Sequence, residues 1–243
     1  MKAISLYLSD ISGLLVILPI LLAVGWPVSR VQYRYLGMAC AIFCTSAFFL
    51  ILPFAFPMLK VGHFNWTGKM FSIVVVYTII LLRPRSDPAR QFMTFTQRKG
   101  SLRRSLMIIL LLMLFSVFVS VLDGDDRRLP ISLEMLSYEA TLPGIDEEAV
   151  FRAALLGYSL AAVHRKKTGK FLRLVGPVFA NMVLFGLIHA LHVDAAFHMH
   201  FDIVTFAITG SVGAGLAILT LNSGSIFLPV IAHNLANCVE MLV

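Results

Sequence analysis

The residues of this chain that could do chemistry lie in apolar sequence of its second half. This set consists of Glu147, Glu148, Arg152, His189, His233 and Asn237. Ionisable side chains are costly inside a membrane, and they usually face the interior of a helix bundle or a water-filled cavity. Because the earlier apolar segments carry essentially no ionisable residue in their interiors, we predict that the functional cavity lies in the second half.

The two neighbouring glutamates are predicted to have different roles. Glu148 and Arg152 are spaced i, i+4, so on a helix they share a face and can pair. Glu147 is rotated by about 100° from Glu148 and can point elsewhere, as a general base must. A simpler alternative is that both acids mark a helix start, which the helix dipole favours, after a break at Pro143-Gly144.

The histidines and the asparagine are ambiguous one by one. A lone histidine on an apolar helix is usually a packing residue, and Asn237 alone could be a polar contact between helices. However, His233 and Asn237 are spaced i, i+4, and His189 is expected at the membrane depth of Glu147. We therefore predict that Glu147, His189 and His233 converge on one cavity in the outer half of the bilayer.

The composition predicts the elements that must position these residues. The chain is 58% hydrophobic and only 14% charged, whereas about a quarter of the residues of a soluble domain are charged. A membrane-spanning helix needs about 20 mostly apolar residues. The expected fold is therefore all-α, a polytopic transmembrane helix bundle with about eight spans, at 7–26, 36–58, 67–82, 102–122, 147–163, 174–192, 201–221 and 226–242.

The predicted organisation is two sets of four spans. Residues 1–130 form the N-terminal transmembrane helices, and residues 131–243 form the catalytic helices. The segment 131–142 opens the second set and is expected to be a short interfacial helix, because it mixes apolar residues with Glu134 and Glu139.

Charge indicates orientation rather than a nucleic-acid partner. The net charge is +7, but most lysines and arginines lie in alternate short loops between apolar segments. The positive-inside rule then places both termini outside the cytoplasm. The three cysteines lie in apolar segments without metal-ligand spacing, so no disulfide is expected. His198-Met199-His200, in a short outer loop, is an alternative metal-binding pair.

Three motifs occur in order along the apolar second half. They are Glu-Glu-x-x-x-Arg at 147–152, Phe-x-x-x-His at 185–189 and His-x-x-x-Asn at 233–237. This set resembles the CPBP or Abi family, which includes CAAX prenyl endopeptidases and bacteriocin-processing and immunity proteins. The resemblance covers roughly 147–237 and implies an intramembrane endopeptidase.

The resemblance also implies roles. Glu147 would activate water and His189 would help to hold it, while Glu148 and Arg152 would shape the first motif. His233 and Asn237 would stabilise the oxyanion or hold the water from the opposite side. A metal-free, glutamic-type mechanism without a cofactor is favoured, since the His-Glu-x-x-His motif of zinc proteases is missing. The alternative is zinc, held by Glu147, His189 and His233.

Two other classes stay open: an ion- or proton-coupled transporter, and a non-catalytic immunity-type membrane protein. The expected partners are the membrane lipid bilayer and a membrane-anchored peptide or protein substrate, with no nucleic acid. The predicted orientation favours a bacterial inner-membrane enzyme whose active site faces the extracytoplasmic side.

Overall fold

A computed structural model describes residues 33–123, 131–163, 170–194, 196 and 198–242. The first predicted span, 7–26, lies outside the described residues. The helices of the N-terminal part are α1 (Tyr33–Ala55), a 3-10 turn (Pro57–Leu59), α2 (Trp66–Leu81) and α3 (Leu102–Asp123). The described part of the chain is thus helical from its first element, as predicted.

The second half begins with the short helix α4 (Leu133–Glu139), which lies within the short helix predicted at 131–142, and its place at the membrane interface stays a prediction. Three helical segments then follow without a break: α5 (Leu142–Glu148), the π-helix π1 (Ala149–Leu156) and α6 (Gly157–Ala162). The remaining elements are α7 (Lys170–Ala190), β1 (Leu191–Val193), β2 (Met199–Phe201), α8 (Ile203–Ser223) and α9 (Phe227–Leu242).

The all-α membrane bundle is confirmed. Within the part of the chain that the structure describes, three helical stretches are long and apolar enough to cross a membrane: Arg34–Ala55, Leu102–Leu122 and Ile203–Ser223. Shorter apolar helices are Trp66–Leu81, Leu174–Ala190 and Phe227–Leu242. The total of eight spans stays a prediction, and so does the division at residue 130.

One core joins the two predicted halves around π1. Phe43 of α1 and Phe185 of α7 both pack edge-on against Phe151 of π1. Helices α7 and α8 approach closely at Gly213, where an added Cβ atom would lie only 2.8 Å from Cβ of Phe185. Small residues permit this kind of approach between membrane helices.

The predicted start of the fifth span is wrong. The helix begins at Leu142 rather than at Glu147, and Pro143-Gly144 lie in its first turn instead of breaking the chain. Proline is tolerated there because the first amides of a helix have no intrahelical partner. The two glutamates therefore lie inside a continuous helical segment, and the helix-start interpretation of these acids is wrong.

The boundary between the sixth and seventh spans also differs from the prediction. Helix α7 ends at Ala190, and His192 lies in β1, paired with His200 in an antiparallel hairpin. Asp202 lies before α8 and caps it, because its carboxylate accepts hydrogen bonds from the amides of Val204 and Thr205.

Candidate functional site

Glu148 is a buried carboxylate held on two sides. One oxygen lies 3.2 Å from Nε of Arg152, which is the pair predicted from the i, i+4 spacing. The other accepts a hydrogen bond of 2.8 Å from Nδ1 of His233 on α9. Arg152 also donates to the carbonyl oxygen of Gly213, at 3.3 Å, and its guanidinium lies over the ring of Phe185. Glu148 therefore connects π1 to α9, and Arg152 connects π1 to α7 and α8.

Glu147 faces a different set of partners, as its rotation relative to Glu148 predicts. Its Oε1 accepts a hydrogen bond of 2.7 Å from Nζ of Lys69 on α2. Its Oε2 lies 3.8 Å from Nε2 of His233 and has no hydrogen-bond partner within the described residues. One oxygen of this carboxylate is therefore fixed, and the other is open to a further donor.

The hydrogen bonds of the two histidines determine which ring nitrogen is protonated. His189 bonds through Nδ1 to the carbonyl oxygen of Phe185, at 2.7 Å, and His233 bonds through Nδ1 to Glu148. A carbonyl oxygen or an ionised carboxylate can only accept, so Nδ1 carries the proton in each ring. In a neutral imidazole this leaves Nε2 with its lone pair.

A cavity of about 520 Å³ brings the candidate residues together. Glu147, His189, His233 and Asn237 all line it, together with Lys69 and Glu139. Glu148 and Arg152 do not line the cavity. They lie behind its wall and hold the wall in place. The structure thus separates the six predicted residues into four that face the cavity and two that support them.

The short helix α4 closes one side of this cavity. Glu139 accepts a hydrogen bond of 2.8 Å from Nδ2 of Asn237, and burial raises the pKa of Glu139. At the other end of α4, Glu134 accepts hydrogen bonds from the ring and backbone of His63 and from the indole of Trp66. The bonds from His63 lower the pKa of Glu134 to about 2. Glu134 therefore anchors α4 to the start of α2.

Several residues of the site were not predicted. Lys69 falls at the start of the span predicted at 67–82 and was given no role in the site, but it lies buried in the first turn of α2. Asp146 accepts a hydrogen bond from Ser72 of α2, and its other oxygen lies 3.4 Å from Nζ of Lys69. Asn234 accepts from the amide of Gly144 at 2.7 Å and ties α9 to the start of α5. The one sequence signal that could have indicated Lys69 is the presence of a lysine within a 16-residue apolar helix.

The alternative metal-binding pair lies away from this cavity. His198 Nδ1 and His200 Nε2 each lie 3.3 Å from the same oxygen of Asp194 on the β1–β2 hairpin, and both rings are exposed. Across the described ranges, no group of three or more His, Cys, Asp or Glu side chains could hold a metal ion.

The fold and the site together define a helical membrane protein with a buried Glu, His and Asn cavity. Residues 130–239, a little under half of the chain, match the family described as type II CAAX prenyl endopeptidase Rce1-like, so this segment is similar to that family. The resemblance predicted from the three motifs is thereby confirmed, and the family supports an intramembrane peptidase of the CAAX type. No curated protein and no solved structure matches the chain.

Proposed function

We propose that the protein is an intramembrane endopeptidase that hydrolyses a peptide bond of a membrane-anchored substrate, with Glu147 as general base. The observation that supports this assignment is the geometry of Glu147. One oxygen is bound by Lys69, and the other faces Nε2 of His233 at 3.8 Å across the cavity. This separation is too long for a direct hydrogen bond, and each atom can contact a shared water molecule.

The reaction then proceeds in two steps. Glu147 takes a proton from the water while the water oxygen bonds to the scissile carbonyl carbon, which gives a tetrahedral oxyanion. Glu147 next returns the proton to the leaving nitrogen as the C–N bond breaks. His189, through Nε2, helps to hold the water before attack.

Asn237 and His233 are proposed to face the oxyanion. The Nδ2 group of Asn237 has two hydrogens, and Glu139 accepts only one of them, so one donor remains for the substrate oxygen. Glu148 holds the ring of His233 through Nδ1, so Nε2 is directed into the cavity beside Asn237. Preorganised donors of this kind are often the largest single catalytic contribution.

A metal-free mechanism is favoured by the surroundings of Glu147. The ammonium group of Lys69 already binds this carboxylate at 2.7 Å, and a dication held by the same group would be repelled by it. Zinc held by Glu147, His189 and His233 stays the alternative. Metal content and activity after chelation separate the two, because full activity in metal-free protein excludes zinc, whereas loss restored by Zn²⁺ establishes it.

The site is proposed to open towards the extracytoplasmic side of a bacterial inner membrane. The support is the concentration of basic residues in alternate loops, which the positive-inside rule assigns to the cytoplasm. Cysteine labelling near Pro143 tests this, and labelling from the cytoplasmic side alone would reverse the orientation.

The decisive experiment is a Glu147→Gln substitution, which keeps the size of the side chain and removes its basicity. We expect cleavage of the membrane substrate to fall at least about 1,000-fold, because the general base is lost. Comparative membrane proteomics of wild-type and Glu147→Gln cells identifies the uncleaved substrate, which purified protein in vesicles must then cleave.

The matched control is Lys60→Met, since Lys60 is exposed and lies outside the cavity. This variant is expected to cleave at the wild-type rate. Cleavage by folded Glu147→Gln protein at the wild-type rate would refute the assignment of the base.

A further inference from the structure

Lys69 is a buried lysine that none of the three motifs contains. Its side chain is only 10% exposed, and it lies in the first turn of an otherwise apolar helix. A lysine in such a place is costly unless it is paired. Asn65 caps α2 through the amide of Gly68 and also donates to the carbonyl oxygen of Leu50 on α1, so the start of α2 is held firmly.

Helix α2 is attached to the catalytic helix at three successive points. Lys69 binds Glu147, Ser72 binds Asp146, and the hydroxyl of Tyr77 donates to the carbonyl oxygen of Ile145 at 3.1 Å. These contacts fix the position of the Lys69 ammonium relative to Glu147. The lysine is therefore part of a rigid connection between the N-terminal helices and the site.

The bond from Lys69 determines which oxygen of Glu147 is available. Because Oε1 is held at 2.7 Å, Oε2 is the oxygen that faces His233 and the cavity. Without this bond the carboxylate can rotate, and its open oxygen loses a defined position. Misplacing a reacting group by about 1 Å can cost about 100-fold in rate.

Lys69 also balances charge at a point where three carboxylates are consecutive. Arg152 compensates Glu148, and Ser72 donates to Asp146, which leaves Lys69 as the cation in direct contact with Glu147. The other titratable groups that act on Glu147 are Tyr138 and Glu139 of α4, His189 of α7 and His233 of α9. The ammonium group of Lys69 is thus the group that fixes this carboxylate from the side of α2.

We propose that Lys69 is a positioning residue that binds Oε1 of Glu147 and so directs its free oxygen towards the water-binding side of the cavity. The inference rests on the proposed function of Glu147 as the base. It assigns a part of the catalytic arrangement to α2, outside the segment that matches the family.

The test compares Lys69→Met, Lys69→Arg and Lys60→Met proteins in vesicles containing the membrane substrate. For Lys69→Met we expect kcat to fall about 100-fold with KM nearly unchanged. Lys69→Arg keeps a charged donor for Glu147 and should restore most of kcat, and Lys60→Met should match wild type throughout.

A purely structural role for Lys69 predicts a different result. Lys69→Met would then lower the melting temperature and the yield of folded protein but leave kcat of the folded protein unchanged, and this outcome would overturn the proposal. If Lys69→Met does not fold, Lys69→Gln is used, because glutamine is polar but one atom shorter than lysine and does not hold Oε1 of Glu147 in the same way. The proposal requires that kcat of this variant also fall.

Failure of this inference is distinguishable from failure of the proposed function. An active Glu147→Gln protein would remove the base and with it the proposed function. An inactive Glu147→Gln protein together with an unchanged kcat in folded Lys69→Met protein would leave the peptidase intact and refute only the positioning role.

Discussion

The cavity and the β1–β2 hairpin each contain two histidines beside a carboxylate, yet they are different environments. His233 is 6% exposed and bonded to the fully buried Glu148. His198 and His200 are 75% and 65% exposed and share the half-exposed Asp194. Residue type and distance to a carboxylate are similar in the two regions, so neither property distinguishes the cavity from a surface cluster. The property that distinguishes them is the burial of the side chains.

The physical difference is the cost of losing a partner. An exposed ion pair contributes little, because water and salt screen its charges. A charge left alone in a buried site has no such compensation, so removing one member of a buried pair is strongly destabilising. The cavity should therefore respond sharply to substitution, and the hairpin should not.

The largest effect on stability is expected for Arg152→Met. This change leaves Glu148 buried without its cation and removes the contact with Gly213. We expect a loss of about 3–5 kcal/mol in the free energy of unfolding, measured by denaturant titration in detergent. Arg103→Met is the matched control, because Arg103 is exposed on α3 and should change stability little. Equal stability of the two variants would show that the buried network is not what holds the site.

The sequence predicted the members of this network better than their placement. The i, i+4 spacing of Glu148 and Arg152 was sufficient to predict their ion pair. The rotation of Glu147 relative to Glu148 was sufficient to predict that its side chain points in a different direction. The helix start was missed because Pro143-Gly144 resembles a break, although proline fits the first turn of a helix.

Residues distant in sequence were harder to predict. Lys69 lies 78 positions before Glu147, and no local pattern indicates that α2 packs beside α5. Lys69 falls at the start of the predicted span 67–82 and was given no role in the site. Asn234 was missed for a related reason, since its partners are backbone groups of Gly144 and Thr141 that only the packing of α9 on α5 brings near.

A smaller effect, on rate rather than on folding, is expected for Asn237→Ala. Loss of one oxyanion donor should lower kcat about 100- to 1,000-fold while the protein stays folded. Glu139→Gln keeps an acceptor oxygen for Asn237 and should retain most of the activity. Glu139→Leu removes that acceptor, so its kcat should lie between those of Asn237→Ala and Glu139→Gln. Steady-state kinetics in vesicles measures the series. An Asn237→Ala protein with unchanged kcat would remove Asn237 from the oxyanion site.

The smallest effect is expected in the hairpin. His198→Ala and His200→Ala should each leave kcat and the melting temperature unchanged, since the rings are exposed and lie outside the cavity. Hydrogen bonds from the backbone of His198 and the side chain of His200 lower the pKa of Asp194 to about 2. Because the pKa is lowered in the folded protein, the contribution of Asp194 is complete above about pH 4 and is lost as the pH falls towards 2. NMR titration of the hairpin follows this step. Loss of cleavage in His200→Ala at neutral pH would mean that the hairpin belongs to the working site, and that burial is not what separates the two regions.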